Sequence, residues 1–365
     1  MRITGLKIRS IRVQRQHRTV VGAGIDTPIA GASDAPTLSR FAFLQLQTDE
    51  GLCGLGEWSD LEPGLEPARL KGQLEALLLG RNPFDLEAIF ALFPLDRSTR
   101  CAVDSALYDL MGKALGVPVY QLLGGRYRPQ VEVSWVVYIR EPDLIADEIR
   151  QMRSQGFDAF KLKVGSRIEH DENCVRLIRE SAGPQAQLKL DASGAWSLEE
   201  AIENIPRLAQ YGLQAVESPV RGRGAEDLAR VRQAVEVPII EHVWDRWDYV
   251  LDLVHHQSVD IINLFPEGCG GLFRCKKVLA LAEAAGIGAL LGSTVELGVG
   301  TAGQVHLGVS SPGISYPSDL IGPAMYQEDV ITCPFTYQAG GLAPPEGPGL
   351  GVELDLAQLE RLGGN

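Results

Sequence analysis

The chain lacks several things that would each have fixed a function class. It has no apolar run near the roughly 18 residues that a membrane span needs. Its six cysteines (Cys53, Cys101, Cys174, Cys269, Cys275 and Cys333) are scattered and form no CxxC. They read as reduced thiols in a cytoplasmic protein, not as a zinc or dithiol motif. Basic residues are in deficit, 34 Lys+Arg against 47 Asp+Glu, giving a net charge of −13. No nucleic-acid partner is expected, because such a partner needs a basic face. No GxGxxG follows an early strand and no GxxxxGK[ST] occurs, which argues against a phosphate-cradling loop. The opening MRITGLKIRSIRVQRQ alternates apolar and polar residues like an edge strand and has no hydrophobic signal core, so a cytoplasmic, membrane-free protein is expected.

What remains is an ordinary globular composition, 45% hydrophobic and 22% charged. A chain of 365 residues exceeds one ordinary core but fits a barrel with a smaller partner domain. The first segment is β-rich, with alternation over 3–13 and 39–48 around a Gly/Ala/Pro loop of the length lids have. Helical periodicity follows over 66–92 and 99–115, and the glycines of GVPVYQLLGG mark a boundary near residue 125. The division expected is a capping domain over 1–125, completed by 330–365, and a barrel over 126–329. From about 131 to 310, short apolar strands alternate with helices: VEVSWVVYI, AFKLKVG, AQLKLDAS, QAVESPV, VPIIEHV, VDIINLF and IGALLGS. Such regular alternation reads as parallel βαβ units, and seven in a row favour a closed α/β barrel.

The strand ends of a barrel converge on one mouth. Here they bring Lys161 and Lys163, then Asp191, Glu217, Glu241, Phe265 and Ser293, with Glu296 just beyond. Lys161 and Lys163 share one face of their strand. Two buried ammonium groups repel, and desolvation adds to that, which favours a neutral amine and hence a base. Asp191, Glu217 and Glu241 close three successive strands. Convergent carboxylates need a counter-charge, and a hard divalent cation, Mg2+ by default, supplies it. A lysine base beside a metal suggests proton abstraction α to a carboxylate, with the resulting enediolate stabilised by the ion.

The same stretches resemble a known family. AVDSALYDLMGKALGVPVYQLLGG (102–125), FKLKVG, LKLDASGAW and VESPV are similar to motifs of the enolase superfamily, in the mandelate racemase/muconate lactonizing enzyme group. The resemblance covers essentially the whole chain. It implies an α+β capping domain over a modified (β/α)7β TIM barrel, Mg2+, a small-molecule carboxylate substrate and a homo-oligomer (dimer or octamer). By position it implies Lys163 as base, Lys161 as its partner, and Asp191 and Glu217 as metal ligands. For the third ligand, counting from Pro238 lands on His242 or Val243. The run EHVWDRWDYV instead resembles an acid-sugar dehydratase pattern, which makes Glu241 the ligand and His242 the fallback, or a substrate-facing residue. GSTVELGVG resembles the muconate-lactonizing branch, which implies that Glu296 acts near the substrate or the lysines.

Two departures narrow the reaction. The muconate-lactonizing branch closes the next strand with a second lysine, and here Phe265 stands there. The mandelate-racemase branch pairs an Asp there with a His one strand later, and here Gly292 takes that later place. A single lysine face suits dehydration or cycloisomerisation. Inversion requires a second acid, for which His242 or Asp245 is available. A non-catalytic binder of a metal–carboxylate ligand is the alternative outside enzymes. Candidate substrate contacts are His17, Trp58, His242, Phe265 and Ser293, with Arg15, Arg18 and Trp244 near them.

Overall fold

The computed structural model describes residues 1–16, 38–61, 64–222 and 224–363. The alternating first segment forms two long antiparallel strands, β1 (Ile3–Gln14) and β2 (Leu38–Thr48), with β3 (Cys53–Trp58) on the far edge. Helix Arg97–Leu115 packs across this sheet. Its start is fixed by Asp96, which accepts from Thr99 N at 2.9 Å; such a cap stabilises by about 1 kcal/mol. Its end is fixed by Gly116 at φ 69°, a left-handed position that glycine takes without strain. Gly56 lets β3 lie directly on this helix, because a Cβ there would collide with the Ala102 carbonyl.

A short strand, β4 (Val131–Glu132), precedes the barrel. Seven parallel strands follow: β5 (Ser134–Val137), β6 (Ala159–Lys163), β7 (Gln187–Asp191), β8 (Ala215–Glu217), β9 (Ile239–His242), β10 (Ile261–Leu264) and β11 (Gly288–Leu291). They pair in sequence order. An irregular segment closes the gap between β11 and β5 through parallel bridges Ala289↔Ile314 and Val133↔Ser318. Each strand feeds a helix, as the periodicity predicts. Helix Leu198–Ala209, for example, opens on a capping box of Ser197 and Glu200. A last strand, β12 (Gly341–Leu342), pairs with β4, and helix Leu356–Gly363 packs on β1.

The barrel interior sets the phase of the site. Ala215, Ile240, Ile261 and Leu290 form one buried apolar cluster that plugs the floor. Two residues further along a strand, the same face reaches the mouth. From Ala215 this gives Glu217, from Ile240 it gives His242, and from Ile261 it gives Asn263 and then Phe265. Two buried carboxylates of helix Arg97–Leu115 tie the first sheet's layer to the rest. Asp104 accepts from the N–H groups of Leu272 and Phe273 at the start of helix Leu272–Ala284. Asp109 accepts from Leu55 N and Leu350 N, each at 2.8 Å.

Candidate active site

β6 turns Lys161 and Lys163 to the mouth as its alternation requires. Lys161 is buried among three carboxylates: Asp319 at 2.7 Å, Glu217 at 3.0 Å and Asp191 at 3.3 Å. Lys163, less buried, pairs with Asp191 at 2.5 Å. Lys161 does not lean toward the neutral amine that two neighbouring buried ammonium groups suggested. Burial pushes it down, but Asp319, Glu217 and Asp191 outweigh burial and hold it well above the usual lysine range. It is a fixed cation.

The carboxylates mirror this. Burial raises Asp191 and Glu217 adds to that, yet Lys163, Lys161 and His242 together hold it below its ordinary value. Burial also raises Glu217, but Lys161 and His242 carry it well below the usual range. Asp191 is further held by Ser193, whose N–H and hydroxyl donate at 2.8 and 3.0 Å. Glu217 accepts from Asn263 Nδ2 at 3.0 Å and from His242 Nε2. Ser193 and Ser218, just beyond these carboxylates, sit in left-handed backbone at φ 52° and 43°, a strain that clusters at functional turns.

The structure gathers Asp191, Glu217 and His242, whose ligand atoms all lie within 4.8 Å of one another. It does not bring Glu241 to that group. Glu241 pairs with Ile262 on the face opposite His242. Its Oε1 accepts from Ser218 Oγ and from the His242 backbone N–H, each at 2.9 Å. Placing Glu241 among the ligands requires a one-residue shift, and a one-residue shift reverses the face.

Other expected contacts also fall elsewhere. Trp58 belongs to β3 and is fully buried in the core of the first sheet, donating from Nε1 to Thr99 Oγ1 at 3.1 Å. It cannot touch a substrate at the mouth. Glu296 accepts from Ser293 Oγ and from the Thr294 N–H and hydroxyl. Ser293 and Glu296 thus close their own turn, and burial raises the Glu296 carboxyl. Phe265 is 1% exposed and packs edge-on against His242 and Trp244, with ring centres 5.8 and 5.3 Å apart. β10 lies four strands from β6 around the barrel, so Phe265 stands across the mouth from Lys163. Arg15 is held by Asp60 at 2.7 Å and Ser39 Oγ at 2.7 Å. His17 and Arg18 lie outside the described residues.

Sequence reasoning missed three groups. Asp319 comes from the irregular closing segment and bridges Lys161 and Lys189, the latter at 3.0 Å. Nothing periodic surrounds it, so no sequence signal marked it. Lys189 and Asn263 were legible. Lys189 sits two residues before Asp191, and Asn263 two before Phe265, each on the inward face of its strand.

The mouth of the barrel thus presents paired lysines to clustered carboxylates. Residues 144–358 match the family described as enolase C-terminal domain-like. Residues 16–124 match the mandelate racemase / muconate lactonizing enzyme N-terminal domain. The chain is 30% identical to muconate cycloisomerase 1 of Rhodococcus opacus, over 97% of this chain and 98% of that one. It is 35% identical to a hydrophobic dipeptide epimerase of Enterococcus faecalis, over 75% of this chain and 80% of that one. Among solved structures it resembles the dipeptide epimerase from Enterococcus faecalis V583 complexed with Mg and L-Leu-L-Tyr. That match has a TM-score of 0.87 and 30% identity, and covers 97% of this chain and 100% of the other. The chain belongs to the enolase superfamily, in its mandelate racemase/muconate lactonizing enzyme group.

Proposed function

We propose that the protein is a divalent-cation-dependent cycloisomerase or syn-eliminating lyase that moves a proton α to a substrate carboxylate from one face only. The observation that carries this is Phe265, which stands opposite Lys163 and can neither give nor take a proton. The likeness to muconate cycloisomerase 1 over nearly the whole chain supports it.

Asp191, Glu217 and His242 would hold the cation, Mg2+ in the family's magnesium-bound relative. Bound there, it supplies a Lewis acid for the substrate's carboxylate. Lys163, the more exposed lysine, takes and returns the proton. Lys161 stays cationic beside it. Asp319 and Glu217 fix Lys161 in place. Phe265, Trp244 and the His242 ring keep water from the far side.

A second reading, an epimerase, is favoured by the dipeptide epimerase relatives. It needs His242 as the opposing acid. The test is turnover of muconate, L-Leu-L-Tyr and N-succinyl-L-lysine in D2O with a divalent salt, followed by NMR and chiral chromatography. Lactone or alkene formation, or deuterium uptake with retention, supports one-face chemistry. Deuterated product of inverted configuration overturns it.

A further inference from the structure

We infer that this site discriminates against Mg2+ in favour of a borderline transition ion such as Co2+ or Zn2+, because the imidazole of His242 takes the third protein ligand position. The inference rests on the metal reading above and goes beyond it in naming the donor set and the class of ion.

Three observations carry it. First, the barrel phase is fixed by the floor cluster of Ala215, Ile240, Ile261 and Leu290, and Ile240 places His242 inward one layer higher. Second, the alternative carboxylate is engaged elsewhere. Glu241 faces away and accepts from Ser218 Oγ and the His242 N–H. Third, His242 Nε2 already lies against Glu217, so a ring nitrogen faces the same space as the carboxylates of Asp191 and Glu217.

The chemistry follows from the donors. Mg2+ favours oxygen ligands and gives up water reluctantly. Imidazole suits later first-row ions, and affinity for nitrogen-containing sites rises from Mn2+ along that row. Replacing a third carboxylate by a neutral ring also removes one negative charge from a mouth that already holds Lys161, Lys163 and Lys189. Hard-ion electrostatics weaken, while nitrogen donation favours the softer ion. Among the described residues a rival donor is Asn263, whose amide oxygen is buried with no hydrogen-bond partner there; reversing that amide would aim oxygen at the same group.

The test is pulsed EPR of the full chain loaded with Mn2+, prepared unlabelled and with 15N-histidine. The expected result is a directly bound 14N coupling in the first sample that becomes a 15N coupling in the second. Proton and water couplings alone would overturn the inference and point to Asn263 or solvent. A second arm is competitive titration of Co2+ against Mg2+ in wild type and in His242→Asp, with circular dichroism to check folding. The preference for Co2+ should fall by at least roughly tenfold in the variant, and an unchanged ratio would overturn the inference. If His242→Asp fails to fold, the labelled wild-type spectrum still decides. A bound nitrogen without α-proton exchange would sink the proposed reaction and leave the metal assignment standing.

Discussion

Asp319→Asn is the sharpest structural perturbation available, because one buried carboxylate serves two buried lysines. It pairs with Lys161 at 2.7 Å and with Lys189 at 3.0 Å. After the change, Lys161 keeps Glu217 and Asp191, but among the described residues Lys189 keeps only the Pro317 carbonyl at 2.7 Å. Removing one partner of a buried ion pair costs about 3–5 kcal/mol. The low end applies, since Asn can still accept from one ammonium. At an unfolding entropy of about 2.1 cal/mol/K per residue, a chain of 365 residues loses roughly 1.3 °C per kcal/mol. The melting midpoint of metal-free protein should therefore fall by about 4 °C. Calorimetry at neutral pH reads this, with Asp147→Asn as control. Asp147 pairs with Arg150 at the surface, where such a pair contributes about 0–1 kcal/mol. The pH dependence gives a second readout. Burial, joined by the charge of Lys161, holds Lys189 below the usual lysine value, and Asp319 opposes this. Without Asp319 the folded Lys189 binds its proton still more weakly than the unfolded one. Stability then rises with pH between the lowered value and the ordinary 10.5, so the variant's deficit should shrink as pH increases. A shift no larger than the control, with no pH trend, would refute the reasoning.

Three further outcomes follow from the same geometry. Lys163→Met should lower α-proton exchange by about 10²–10⁴, the usual contribution of a general base, and stopped deuterium-exchange NMR measures it. Phe265→Lys should introduce proton exchange at the opposite face, scored by deuterated product of inverted configuration; retention alone would show that the far wall does not reach the substrate. Burial raises Glu57 to about 8, against the hydrogen bonds from Gly300, Ser59 and Leu297. A carboxyl raised on folding contributes stability that is complete below its unfolded value and is lost as pH rises through about 8. Glu57→Gln should flatten that decline in a pH series of denaturation midpoints, and an unchanged slope would contradict the assignment.

The barrel was legible because its signal is redundant. Seven apolar strands in register with seven helices leave little room for another fold, and Lys161, Lys163, Asp191 and Glu217 follow from strand alternation alone. The residue that β9 turns toward Asp191 and Glu217 was not legible in the same way. Glu241 and His242 are neighbours at a strand end, so the choice between them is a choice of phase. The floor residue Ile240 settles that phase only once Ala215, Ile261 and Leu290 are seen beside it. Trp58 was a candidate substrate contact, but β3 ends on it and its ring fills a core. The charge state of Lys161 depended on Asp319, which arrives from 158 residues away on a segment with no periodic pattern. Sequence spacing shows which side chains share a strand face. It does not show which distant carboxylate closes the circuit.

One measurement bears most directly on the account. Muconate, L-Leu-L-Tyr and N-succinyl-L-lysine are each incubated with the enzyme in D2O and Mn2+, and every recovered acid and product is scored for deuterium and configuration. One-face chemistry by Lys163 predicts ring closure, elimination or deuterium uptake with retention, all lost in Lys163→Met. Deuterated acid of inverted configuration would show a second acid opposite Lys163 and contradict the central claim.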